Sequence, residues 1–222
     1  MLTYALAVSI VISALVAIRT AYSPTRRRWF YLFKPLTTTL ILLAALLTPT
    51  FGSSPCSIFI AAGLGFSLAG DIFLMLSDKY FIWGLASFLV AHLCYIPAFI
   101  SRSGFRESLW ISLPFIVAAF AVVSLVASRA RDMRWPATVY GLVIMVMAWR
   151  ASAAWAVLGS FPALLALAGA LLFVASDTLL AINRFIRQFR WSQVAVLGTY
   201  YAGQALIAAS LWPISAAAFL EH

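Results

Sequence analysis

The chain has 222 residues, of which 64% are hydrophobic and only 9% charged, with a mean hydropathy of +1.02. Soluble domains carry about a quarter charged residues, so this balance excludes a water-soluble globular protein and specifies an integral membrane chain. The formal net charge of +9 does not imply nucleic acid, because the basic residues sit in the short gaps between apolar runs, where topology and anionic lipid headgroups account for them.

A hydrocarbon core about 30 Å thick takes about 20 apolar residues per helical crossing, so a chain of this length with short loops accommodates about eight. Backbone polar groups in lipid must be satisfied within each segment. The expected fold is therefore all-α: a polytopic membrane bundle of about eight transmembrane helices, one transmembrane domain over residues 1–222.

The first run, 2–20, lacks a basic segment before it, and Arg19 follows it, the pattern of a retained helix rather than a cleaved signal peptide. The second, 29–48, opens on Lys34-Pro35-Leu36-Thr37. The third, 57–76, carries Gly63, Ser67 and Asp71 at i, i+4 and i+8, a narrow ridge that lets another helix approach the acid. Asp78, beside Lys79, reads as a solvated loop residue. The fourth, 80–100, puts Phe81, Gly84, Phe88, His92 and Tyr95 on one face, and the fifth spans 109–127. The sixth, 136–156, follows Trp135, contains Tyr140 and carries Arg150 towards the outer interface; Asp132 before it is a loop residue. The seventh, 162–182, ends with Asp177 and is followed by Asn183, and the eighth, 191–214, presents Tyr200, Tyr201 and Gln204. His222 carries no weight.

Twelve Lys and Arg lie at the odd-to-even connections, among them Arg129 and Arg131, and only Arg102, Arg106 and Arg150 on the opposite side. The positive-inside rule then puts both termini on the non-cytoplasmic side. In a bacterium the membrane is the inner one. The third and seventh helices run in the same direction and end alike, on Gly70-Asp71-Ile72-Phe73-Leu74 and Ser176-Asp177-Thr178-Leu179-Leu180, 106 residues apart. The second and sixth also open alike, with Lys34-Pro35-Leu36-Thr37 and Trp135-Pro136-Ala137-Thr138. This pattern is compatible with a parallel four-helix tandem repeat.

Asp71 and Asp177 each fall five residues before the estimated cytoplasmic end of their runs, about 7 to 8 Å below it at 1.5 Å per residue, and Lys34 lies at a similar depth. A charge inside a membrane segment costs at least roughly 2.5 to 3.5 kcal/mol, so such acids are functional candidates by default; the structural alternative is a buried Lys-Asp brace. Lys34 either pairs with an Asp or snorkels to phosphate. Phe88, His92, Tyr95, Tyr140, Asn183, Tyr200, Tyr201 and Gln204 are at overlapping depths and suit the wall of one polar pocket. Cys56 and Cys94 form no CxxC or Cys/His cluster and are expected as free thiols. With one internal His and no second ligand cluster, neither a metal nor another cofactor is expected. There is no G-x-S-x-G, phosphate loop or H-E-x-x-H motif.

At these residues the sequence resembles the YhhN family of lysoplasmalogenase-like membrane proteins. The resemblance rests on "KPLTT", "GDIFLM" with "FIWGLASFLVAHLCY", "WPATVY", "GALLFVASDTLLAINRF" and "YYAGQALI", in that order between residues 34 and 207. It implies an eight-helix bundle that hydrolyses the vinyl ether bond of lysoplasmalogens, releasing a fatty aldehyde and glycerophosphoethanolamine or glycerophosphocholine. The partners are then a lysophospholipid substrate and membrane lipids.

Vinyl ethers hydrolyse in acid through protonation of the β-carbon and an oxocarbenium ion. Two aspartates at one depth supply a proton donor and a negative charge if one is protonated while the other is ionised, which makes Asp71 and Asp177 the expected general acid/base pair. The chemistry parallels that of glycosidases without implying their fold. Lys34 and the cytoplasmic arginines would face the phosphate. The competing class is a proton-coupled lipid or small-molecule transporter, which intramembrane acids and tandem repeats suit equally well.

Overall fold

The computed structural model describes residues 1–105, 109–127, 129 and 133–213; Arg106, Arg131, Asp132, His222 and the end of the eighth run lie outside the described residues. Eight α-helices follow one another among them: α1 (Leu2–Thr20), α2 (Arg27–Leu46), α3 (Pro55–Met75), α4 (Phe81–Ser103), α5 (Leu113–Ala127), α6 (Arg134–Leu158), α7 (Phe161–Ala181) and α8 (Ser192–Ala209). Proline and glycine set several ends. Extended Ser54 precedes Pro55 in α3, and extended Ser160 precedes Pro162 in α7, where a missing N–H costs nothing. Gly159 ends α6 in the left-handed region at φ 56°, its N–H donating to Trp155 O at 2.8 Å. α5 begins later than the apolar run because Leu109–Ile111 form a 3₁₀ turn.

Side-chain bonds identify the two ends of the bundle. At one end the Tyr22 hydroxyl accepts from the N–H groups of Gln193 (2.9 Å) and Val194 (3.4 Å), and Arg184 beyond α7 meets Asp78 between α3 and α4 at 3.2 Å. At the other, Arg102 near the end of α4 donates from Nε to Cys56 Sγ at 2.9 Å and from Nη2 to Ser210 O at 2.8 Å. Both cysteines are free thiols. Arg150 reaches the connection after α4 at this same end, but is buried there: it donates to Gly104 O and stacks over Phe105 at 5.2 Å.

α4 and α8 form the inner wall of the bundle. α4 lies against α3 and α6, α8 against α7, α2 and α1, and α5 rests on α6. Glycine allows these approaches. A Cβ added at Gly169 of α7 would stand 2.7 Å from Gly203 O and 2.9 Å from Ile207 N, so the α7 and α8 backbones touch. On α3, a Cβ at Gly63 would lie 2.4 Å from the Tyr95 ring, so the small ridge inferred from the sequence does seat α4. The outside stays apolar: Val8, Ile12 and Leu15 of α1 and Ile116, Val117 and Phe120 of α5 are exposed to the surroundings, as helices facing lipid require.

Six of the described helices, α1 to α4, α6 and α7, are long and apolar enough to cross a membrane, making this an integral, multi-pass bundle. α5 has 15 residues. α8 has 18, but spends Tyr200, Tyr201 and Gln204 on the buried interior, which lowers its hydropathy without exposing it. The helix contacts carry an expected outcome. Gly169→Val should lower the thermal unfolding midpoint of the detergent-solubilised protein, an overpacking cost of about 1 to 3 kcal/mol. Gly65→Ala, where nothing lies within 4 Å of an added Cβ, should leave the midpoint unchanged or raise it; tryptophan fluorescence on heating reads both.

Candidate active site

Lys34 and Thr38 lie one turn apart on α2 and therefore share a face, and that face meets Asp71 near the end of α3. The Thr38 hydroxyl donates to Asp71 Oδ2 at 2.6 Å and the Tyr200 hydroxyl of α8 donates to the same oxygen at 2.8 Å. Lys34 Nζ stands 3.5 Å from Oδ1 and donates to the Asp71 backbone carbonyl at 3.4 Å. Tyr201 closes the cluster by donating to Lys34 O at 3.4 Å. Asp71 is 1% exposed and Lys34 6%. The lysine therefore does not snorkel to phosphate; its charge is committed to the carboxylate.

Asp177 has different surroundings. The Tyr140 hydroxyl of α6 donates to its Oδ2 through a short hydrogen bond, and His92 Nε2 of α4 stands 3.7 Å from the same oxygen, beyond hydrogen-bond reach. Neither ring nitrogen of the fully buried His92 has a hydrogen-bond partner among the described residues. The imidazole is held by its flanks, against Tyr140 at 5.2 Å and Phe173 at 4.6 Å between centroids.

Asp177 faces a narrow apolar pocket of about 60 Å³, open at its mouth, between α4, α6 and α7. Phe81, Leu85 and Phe88 form one wall, Tyr140, Gly141 and Ile144 another, and Asp177, Thr178 and Ala181 a third. Leu74 of α3 contributes, and Arg184 and Phe185 stand beyond α7. Thus Asp177 is the acidic side chain on the pocket wall, whereas Asp71 is not on it. No hydrogen bond joins the two aspartates. Aromatic rings fill the space around them: Tyr200 packs edge-on against Phe88 at 5.7 Å and Phe173 at 5.5 Å, and Phe173 in turn meets His92.

Of the side chains expected to line one pocket, Phe88, Tyr140 and Asp177 do so, with His92 behind them. Lys34, Tyr200 and Tyr201 belong to the Asp71 cluster. Tyr95 donates to Gln204 Oε1 at 2.7 Å within the buried α4–α8 contact, and Asn183 Oδ1 accepts from Phe189 N–H at 3.3 Å in the turn leading to α8. Sequence reasoning passed over Thr38 and Phe173, and counted Arg184 only as one of the cytoplasmic arginines. Thr38 was visible as the i+4 neighbour of Lys34; Phe173 reads like any membrane phenylalanine, and only the chain's course turns it inward. Asp78 is solvated as expected, and it also pairs with Arg184.

A sequence profile of the YhhN family matches residues 29–211. The membrane protein YhhN of Escherichia coli O157:H7 is 30% identical over 206 residues, covering 92% of this chain and 97% of the relative. The lysoplasmalogenase TMEM86A of Bos taurus is 35% identical over 161 residues, 70% of this chain and 66% of that protein. The lysoplasmalogenase TMEM86B of Homo sapiens is 35% identical over 136 residues, 59% of this chain and 53% of that protein. No solved structure matches. With a profile match over most of its residues and a relative matched along nearly its whole length, the chain belongs to the YhhN family.

Proposed function

We propose that the protein is a lysoplasmalogenase in which Asp177 is the proton donor and Asp71 belongs to a brace beneath the site. The observation that carries this reading is a carboxyl group on the wall of a largely apolar pocket, hydrogen-bonded to Tyr140 and without a lysine or arginine in contact. The names of the TMEM86A and TMEM86B relatives supply the reaction class. In this reading Asp177 gives its proton to the vinyl β-carbon, leaving an oxocarbenium ion beside the new carboxylate and the faces of Phe88 and Tyr140, which attract cations. Water adds to the oxocarbenium carbon and its surplus proton returns to Asp177. The hemiacetal then collapses to a fatty aldehyde and the glycerophospho alcohol. Tyr140, donating to Oδ2, fixes the carboxyl so that Oδ1 faces the substrate.

The brace reading of Asp71 rests on the Thr38 and Tyr200 hydroxyls that donate to Oδ2 and the Lys34 ammonium beside Oδ1, which together compensate a buried carboxylate. We further read the bundle as eight crossings with both termini outside and the basic connections in the cytoplasm, in a bacterium in the inner membrane. α3 and α7 support a parallel repeat: both have 21 residues, both their starts and their ends are 106 apart, and each holds its Asp at the same position. The contacts exchange between halves in the same way, α2 with α8 and α6 with α4.

Purified protein given a lysoplasmalogen should release fatty aldehyde, while the saturated-ether analogue stays intact; lipid moved across liposomes without covalent change would favour a transporter instead. Asp177→Asn should lower turnover by at least about a hundredfold, the range of a lost general acid, with an unchanged unfolding midpoint. Lys34→Met should destabilise the protein by about 3 to 5 kcal/mol because it leaves a buried charge unpaired. Lys34→Met with Asp71→Leu should restore much of that loss. Stability that responds to Asp177→Asn as strongly as to Lys34→Met would exchange the two roles.

A further inference from the structure

We propose that Arg184 is the recognition residue for the substrate's phosphodiester, and that Asp78 holds it in place as an exchangeable stand-in for that phosphate. The proposal deepens the lysoplasmalogenase reading and rests on it for the substrate class. Arg184 lies on the pocket wall, on the π-helical turn Ile182–Ile186 that continues α7 beyond Asp177; such turns recur at functional sites. Its guanidinium stacks over Phe81 at 4.7 Å, and Phe81 meets Phe185 edge-on at 6.4 Å, so the cation is framed by rings at the mouth. Among the described residues it is the basic side chain lining this pocket.

Its counterion differs from that of Lys34. Arg184 Nη1 stands 3.2 Å from Asp78 Oδ1, but the side chains are 41% and 87% exposed. A pair this open is weak and exchanges readily. The Lys34–Asp71 pair, buried under three helices, cannot be exchanged at comparable cost. Arginine also suits a phosphodiester better than an ammonium does, because its planar fork holds two oxygens at once.

The spacing fits the substrate. Seven residues separate Asp177 from Arg184, about 10 Å along a helix at 1.5 Å per residue. From the vinyl β-carbon to the phosphorus of a lysoplasmalogen there are about seven bonds, or about 8 Å extended at the 1.2 Å per bond of an extended backbone. A lipid whose phosphate replaces Asp78 on Arg184 therefore brings its vinyl ether to Asp177, with the alkenyl tail running on between Phe88, Ile144 and Leu85. Arg184 acts on binding and register and takes no part in proton transfer.

Two variants with opposite expected signs test this, read on two lipids. Arg184→Gln should raise KM for 1-alkenyl-glycerophosphocholine by about tenfold or more, the loss expected for a charge-assisted bond, with a smaller change in kcat. Its KM for the phosphate-free 1-alkenylglycerol should not move, and Arg184→Lys should recover part of the loss. Asp78→Asn should lower KM for the phosphodiester, because the competing carboxylate is gone. If Asp78→Asn raised KM as Arg184→Gln does, or if Arg184→Gln weakened both lipids equally, the pair would be a structural fastening and the proposal overturned. Binding of the non-hydrolysable 1-alkyl-glycerophosphocholine and 1-alkylglycerol, measured by tryptophan quenching in detergent, separates this from the reaction itself. A preference for the phosphodiester that disappears in Arg184→Gln upholds the recognition site even where aldehyde release is absent. No preference in the parent protein overturns it even where aldehyde is released.

Discussion

Lipid offers no hydrogen bonds, so the polar side chains that this chain carries into the membrane are driven to find partners inside the protein, and of those described at the site His92 is the exception. That constraint turns the helices. α8 carries Tyr200, Tyr201 and Gln204 on its buried face, and it sits accordingly against α7, α2 and α1. Thr38 and Tyr200 converge on Asp71 for the same reason, and Gly169 and Gly203 allow α7 and α8 to approach closely enough to bring Tyr200 there. The apolar outer faces are what remains when these demands have been met.

The same rule distinguishes the two aspartates. They occupy equivalent positions in helices of equal length, yet one has a buried lysine and two hydroxyl donors, and the other has one tyrosine, a histidine out of reach and an open pocket. Similar sequence surroundings thus meet different partners. The position of α6 that aligns with Lys34 holds Trp135, before the proline, and Tyr140 supplies the hydroxyl to Asp177.

Much of this was legible from the residues. Hydropathy and charge spacing marked all eight helices, and the depth of Asp71 and Asp177 singled them out as the acids worth following. Lys34 read correctly as a neighbour of that layer. What could not be read was azimuth. A helix's period says which side chains share a face, and Gly84, Phe88, His92 and Tyr95 do, but not which other helix that face meets. Asp71 and Asp177 therefore looked like one pair, and Tyr95, Gln204 and Asn183 looked like pocket wall. Arg184 looked like one more topological cation, because nothing in sequence connects it to Asp78, 106 residues earlier.

Arg102 gives the bundle a mechanical polarity. Its guanidinium fastens the start of α3 to the end of α8 from within α4, joining three helices through two bonds at the end remote from the pocket mouth. At the mouth, α3 and α7 are linked by an open ion pair. The Arg102 end is thus held by a partly buried guanidinium, whereas the pair between the turns after α3 and α7 is open to solvent and weakened by salt, so the two ends of the bundle differ in how firmly these bonds tie them.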